Sequence, residues 1–247
     1  LRKELKRDIK QDEFRSWLEN VIEWGEAHRD ELRIGVGVGV VLLAAFGALA
    51  YFQSHRAREA ERAFQDALDA FEAPVAAELA LGAERPSGQV FATAEDKYKT
   101  AAAAFEGVER RYGSMDLGVR AKYYAALARI ELGQYAEAEK SLRELQALGS
   151  GELVPDLARV ALGGLYRRSG ETDRAVEAYR ALASAATTTL PRDHVLHCLA
   201  GTLEDAGRYD EARAAYRELF EQYPASVYAA AARARADYLV TASAEQG

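Results

Sequence analysis

A recurrence constrains this chain more than any other feature. Gly133-Gln-Tyr135-x-x-Ala138, Gly170-Glu-Thr172-x-x-Ala175 and Gly207-Arg-Tyr209-x-x-Ala212 stand 37 residues apart, and one further step back reaches Asp96-Lys-Tyr98-x-x-Ala101, a copy without its glycine. A fixed period of this length means stacked helical hairpins, because so small a unit cannot bury its own apolar face and must lean on the next copy. Each position has a physical reading. Gly133, Gly170 and Gly207 suit the left-handed residue that ends a helix. Ala138, Ala175 and Ala212 are small where two helices approach closely. Leu142, Tyr179 and Tyr216 follow four residues later, and Leu145, Leu182 and Leu219 three after that, so the bulk falls on one face.

The pattern resembles the tetratricopeptide repeat. In the second copy Leu162, Gly163, Tyr166, Ala175, Tyr179 and Leu182 occupy the family's signature positions; in the third, Leu199, Ala200, Ala212, Tyr216, Leu219 and Pro224 do so. The first copy departs from the pattern at Arg129, where the family prefers an aromatic, and the 37-residue step exceeds the usual spacing of about 34. The resemblance implies an all-α helical solenoid over residues 92–242, followed by a short tail, 243–247. Five prolines and no recurrent run of alternating β-branched residues agree with an all-α chain.

Such solenoids offer a groove lined by the first helix of each pair. Counted from the glycines, the stripe opposite the packing stripe carries Arg120, Tyr123, Leu127 and Ile130, then Leu157, Val160, Gly164 and Arg167, then His194, His197, Gly201 and Glu204. It is apolar in the middle and charged at the rims, and Gly164 and Gly201 leave room for a ligand. An extended apolar polypeptide, or a chaperone, is the expected occupant. The family's carboxylate clamp grips chaperone tails with Lys, Arg and Asn; its asparagines are missing from this stripe.

A second feature concerns surroundings. Ile34 to Phe52 is a 19-residue run without a charge, bounded by Arg33 and by His55, Arg56 and Arg58. As a helix it would be roughly 28 Å long, which matches a hydrocarbon core of about 30 Å. A phosphate loop does not fit, because Gly35, Gly37 and Gly39 give GxGxG with no following Lys or Ser/Thr. Ala48-Leu49-Ala50 is an A-x-A sequence at the end of the run, but 33 residues precede it, far more than a basic n-region needs, so an uncleaved anchor is favoured over a removed signal. The expected span is 33–53. Gly35 and Gly39 form a small-xxx-small pair suited to packing against another membrane helix, although glycine is common in spans for its own reasons.

Before the span, residues 1–11 carry five basic and two acidic groups and read as a solvated cytoplasmic tail. Residues 12–32 then place Phe14, Trp17, Leu18, Val21, Ile22 and Trp24 at helical spacing, an amphipathic helix whose tryptophans suit the lipid–water interface. Its polar face is acidic, which suits a protein neighbour better than anionic lipid. After the span, residues 54–81 read as a stalk helix without a breaker until Pro74, and Gly82, Pro86 and Gly88 mark a linker over 82–91. The chain opens at Leu1 rather than Met, so a short piece is expected to precede it.

Tail, single span, stalk and repeats together are similar in layout to the bitopic ancillary subunits of the bacterial Sec translocon, the YfgM-like family. That resemblance implies an inner-membrane protein with its N-terminus in the cytoplasm and its repeats in the periplasm, engaging membrane partners of a larger complex, chaperones and emerging chains. A structural subunit of another membrane complex is the alternative. A net charge of −7 gives no basic footprint for nucleic acid. The single cysteine, Cys198, allows no intrachain disulfide. His194-x-x-His197-Cys198 is the nearest approach to a metal motif, but no acidic or cysteine partner stands at ligand spacing. No cofactor and no enzymatic activity are expected.

Overall fold

The computed structural model of the 247-residue chain describes Trp17, Trp24 and residues 27–78, 88–149, 151–186 and 188–244. The 1–11 tail, Phe14, Leu18 and Val21 of the proposed interfacial helix, residues 79–87 and residues 245–247 lie outside the described residues. Among the described residues there are nine α-helices and no strand, only an isolated bridge between Val75 and Phe91. The all-α expectation therefore holds. The chain divides into two compact units, Leu1–Glu59 and Ala60–Gly247.

The first unit contains most of α1, Arg29–Glu72. Among the described residues its apolar side chains have no cover: Val38, Leu42, Phe46 and Phe52 are all exposed. Apolar area of this extent needs an apolar medium or a partner helix to leave water. Among the described residues α1 is the one helix long and apolar enough to cross a membrane. Among the described residues a methyl group added at Gly35 or Gly39 would meet nothing within 4 Å. Trp17 and Trp24 are also exposed, and Trp24 stacks on His28 with ring centroids 4.9 Å apart.

The second unit begins inside α1. The helix expected to run on from the span with no breaker before Pro74 continues to Glu72, and from Ala60 its residues belong to the second unit. Ala60, Phe64, Ala67 and Ala70 are buried against α2 (Ala94–Tyr112) and α3 (Asp116–Glu131). Phe64, Phe71, Phe105 and Tyr124 form one aromatic cluster with centroids 5.2–6.2 Å apart. Residues 60–72 thus supply the first helix of the pair whose second helix is α2. The pattern of the segment explains the change, since apolar residues spaced at three and four replace the all-round apolar run. Backbone bonds from Ala76 N–H to Phe91 O (2.8 Å) and from Phe91 N–H to Pro74 O (3.1 Å) tie the two ends of the intervening linker.

Three further pairs follow at the sequence period: α3 with α4 (Tyr135–Gln146), α5 (Leu153–Arg168) with α6 (Thr172–Ala183), and α7 (Arg192–Asp205) with α8 (Tyr209–Gln222). A last helix, α9 (Ala229–Ala244), packs on α8. The glycine turns work as their spacing predicts. Gly133, Gly170 and Gly207 have φ of 71°, 82° and 69°, and the residue after each donates its N–H to the carbonyl five back, on Arg129, Tyr166 and Leu203 respectively. This satisfies helix-end carbonyls that would otherwise lack donors. At Gly163 the reason for glycine is different: a Cβ there would lie 2.6 Å from the Tyr179 ring, which packs flat against the helix.

Candidate functional site

The stripe predicted for the groove lies along α3, α5 and α7, one set of four per helix. Its middle is apolar and accessible. Tyr123 and Leu127 are half-buried against the α3–α6 core, Val160 is half-buried against the core that begins at Val176, and Leu157 is half-buried beside it in sequence. Burial, with Tyr124 adding to it, pushes the Tyr123 hydroxyl up to about 12, so it stays neutral. Gly164 and Gly201 are half-buried, each edged by a tyrosine hydroxyl of its own hairpin, 3.6 Å and 3.9 Å from where a Cβ would stand.

Ile130 does not belong to this surface. It is 6% exposed and packs with Ala138 and Leu142, so it is core. Its counterparts one and two periods on are Arg167 and Glu204, whose charges keep them outside; an apolar side chain at the same place collapses inward.

The charged members have partners. Arg120 lies over the Phe64 ring at 4.8 Å, Arg167 pairs with Asp205 at 3.2 Å, and Glu204 pairs with Arg235 and accepts a hydrogen bond from the Tyr216 hydroxyl at 3.2 Å. The Arg235 contact holds the Glu204 carboxyl below its ordinary range. His194 and His197 are covered by Tyr228, from the segment before α9. His194 Nδ1 is 3.1 Å from the Tyr228 hydroxyl, and the His197 ring stacks on the Tyr228 ring at 4.5 Å and 13°. His197 Nδ1 is buried without a hydrogen-bond partner among the described residues. Burial, followed by the charges of His194 and Arg167, lowers its proton affinity. Cys198 Sγ lies 3.8 Å from His194 Nε2, and burial pushes its thiol up, away from reactivity. Among the described residues no three His, Cys, Asp or Glu side chains converge on a point that could hold a metal.

Sequence reasoning overlooked a pair of clamps. Asp156 is fully buried and accepts from the Thr189 N–H (2.7 Å), the Thr189 hydroxyl (3.1 Å) and Arg159. One period later, Asp193 accepts from the Ser226 hydroxyl at 2.6 Å. Each aspartate near the start of a first helix thereby fastens the loop that leads into the next helix. The recurrence of Asp with Thr or Ser 33 residues on was the signal that could have found them.

A family model for the tetratricopeptide repeat-like domain matches residues 23–240, which is most of the chain. The chain belongs to that family. Among solved structures it is similar to the nearly identical TPR-like repeats of a putative kinesin light chain from Podosopora anserina, at 17% identity and a TM-score of 0.52, covering 61% of this chain and 80% of a singly substituted form of that one. The same repeats without the substitution match equally, with 81% of that chain covered. At this identity the likeness establishes the fold. No curated protein matches the sequence. Repeats of this kind are protein-interaction scaffolds, and the family match extends across the long apolar helix as well as the hairpins.

Proposed function

We propose that this chain is a non-catalytic, single-pass membrane protein that offers its repeats as a docking face, acting as an ancillary subunit at the bacterial Sec translocon that engages periplasmic chaperones or emerging polypeptides. One observation carries the reading: Tyr123, Leu127, Leu157 and Val160 form an apolar row, half-buried, across two consecutive first helices. An extended apolar segment laid across α3 and α5 would remove that row from water without needing to displace a charge pair. The exposed apolar residues of α1 support the anchor. Replacing Leu127 and Val160 with Glu should abolish client crosslinks on native membranes, read by mass spectrometry, while helicity is unchanged; retained crosslinks would remove the row from consideration.

The orientation proposed is N-terminus in the cytoplasm and repeats in the periplasm of the inner membrane. Basic residues are level close to the span, but Arg2, Lys3, Lys6, Arg7 and Lys10 add to the N-terminal side. Protease added to spheroplasts should digest residues 54–247 and spare the tail, and protected repeats would reverse the assignment. The second reading, a structural subunit of another bioenergetic or envelope-assembly complex, is favoured by the third set of the stripe. There Tyr228 and Arg235 already engage His194, His197 and Glu204, which suits a fixed wall better than a client seat. A subunit of that kind stays in constant ratio with one complex in mild detergent, whereas a client-binding subunit exchanges.

A further inference from the structure

Two clefts of the repeat domain lie away from the apolar row, and they are the same cleft one period apart. The first, about 530 Å³, runs from α2 over α3 to α4; the second, about 470 Å³, runs from α4 over α5 to α6. A step of 37 residues carries Glu106 to Arg143, Glu109 to Gln146, Lys122 to Arg159 and Glu144 to Ala181, each position lining its own cleft. The scaffold is repeated, but the chemistry is not.

In the first cleft the walls are tied together. Lys122 reaches Glu109 on α2 at 3.4 Å and also Glu144 on α4, and Arg129 takes Glu106 at 2.7 Å. Its lining is balanced, with Glu106, Glu109 and Glu144 against Arg110, Lys122 and Arg129. In the second cleft both acceptors of the cross-link are gone, because Gln146 and Ala181 stand in their places. Arg159 turns instead to Asp156 and to Gly149 O at 2.8 Å, along its own side. Its lining holds three guanidinium groups, on Arg143, Arg159 and Arg174, against Glu177 alone. Arg143 and Arg174 converge on one carboxylate behind the lining, Glu139, at 2.8 Å and 2.5 Å, and Arg174 also pairs with Glu171, which leaves Arg143 and Arg159 as the guanidinium groups with one carboxylate each. The opposite wall is Ala178, Ala181 and Ala185, and Leu162 and Leu182 form an apolar floor.

We propose that the α4–α6 cleft is a binding site for an acidic peptide segment with aliphatic side chains. Its carboxylates meet Arg143 and Arg159, and its aliphatic groups rest on the leucine floor against the alanine wall. Arginine suits this task because its planar fork accommodates a second carboxylate oxygen while the first remains bound. The chemistry distinguishes this site from the apolar row on α3 and α5, which carries no such cations at its centre.

The test uses the full-length chain in lipid nanodiscs and two fluorescent peptides of equal length, one alternating Leu and Glu and one alternating Leu and Lys, read by anisotropy. The Leu–Glu peptide should bind and the Leu–Lys peptide should not. Ala181→Glu returns the acceptor that closes the first cleft and should weaken binding at least tenfold. Arg143→Gln should weaken it by about tenfold, the loss of one charge-assisted contact. Both residues are solvent-exposed, and circular dichroism melting will report whether either variant unfolds. Leu127→Glu with Val160→Glu, in the apolar row, should leave Leu–Glu binding unchanged. Failure of the Leu–Glu peptide to bind, equal binding of the Leu–Lys peptide, indifference to both cleft substitutions, or loss on the row substitutions alone would each overturn the proposal.

Discussion

The α5–α6 and α7–α8 pairs are built on one plan and finished differently. Both turn at a left-handed glycine, both pack a tyrosine, Tyr179 or Tyr216, against the first helix, and both use an aspartate near the start of that helix to hold the loop beyond. In α5–α6 the aspartate is wholly buried with two bonds from Thr189, the tyrosine lies on a glycine, and the outward stripe is apolar. In α7–α8 the aspartate is half-buried with one hydroxyl partner, Ala200 takes the place of that glycine, and the stripe is occupied by Tyr228. The difference teaches that the period sets where side chains stand, while the partners brought in by loops decide what each position does.

The largest expected effect lies at the clamps. Asp156→Ala leaves the Thr189 N–H without its acceptor and the half-buried Arg159 without its carboxylate, and should cost about 3 kcal/mol, since a charged partner is removed from a buried network. Asp193→Ala, which loses one hydroxyl bond, should cost about 1 kcal/mol. Amide hydrogen exchange localises the two effects, with Thr189 losing protection in the first variant. The clamp also has an acid dependence. Burial alone would raise the Asp156 carboxyl, but the Thr189 N–H and hydroxyl outweigh it and hold the group below its usual 3.8. A depressed carboxyl contributes stability that is present above the unfolded value and lost as pH falls through the folded one. Protection at Thr189 should therefore persist to below pH 4, and its loss at pH 5 would show the clamp is not carried by the carboxylate.

The tyrosine seats come next. Gly163→Ala drives a Cβ to 2.6 Å from Tyr179 Cζ in a position bounded by packed helices, and overpacking of this kind should cost about 2 kcal/mol. Tyr179→Leu in the same chain should restore most of it, because the ring is what clashes and Leu142 fills the equivalent place in the first pair. The reverse change in the other pair, Ala200→Gly, should cost only about 1 kcal/mol through helix propensity and a small void. Equal costs in urea unfolding would mean that the two seats are not different after all.

Much of this can be read in the residues. The turns, the buried Leu145, Leu182 and Leu219, and the small Ala138, Ala175 and Ala212 follow from a period whose glycines and bulk recur in register. What the period cannot show is anything out of step with it. The helix that pairs with α2 arrives from residues 60–72, because the linker after Glu72 displaces it from the place 37 residues before α3. Ile130 falls on the stripe by position and is buried by its lack of polarity. Tyr228 is invisible as a partner of His194 and His197 because it enters from the far side of a whole hairpin. The α4–α6 cleft becomes legible only when charges one period apart are compared, since each residue alone resembles ordinary helix surface.

The smallest expected effect concerns the imidazole under Tyr228, and it separates the two pairs by pH. The groups facing His197 are Tyr228, from the loop before α9; Arg167, from α5; and His194, on its own helix, with Cys198 beside it and Val160 one period back. None of these is an anion, and the carboxylates around them are engaged, Asp193 by the Ser226 hydroxyl and Asp205 by Arg167. Protonation would thus place a cation in a part-buried contact beside another cation, with a buried Nδ1 that has no acceptor among the described residues. Because the folded proton affinity is lowered, stability from this contact is full above the unfolded value near 6.5 and declines as pH falls below it. Hydrogen-exchange protection across Tyr228 and the start of α9 should fall between pH 7 and pH 5.5, while α5 and α6 stay protected. His197→Phe keeps the ring stack and removes the titration, so its protection should be flat over the same range. A variant that still responds would show that His197 does not carry the pH dependence.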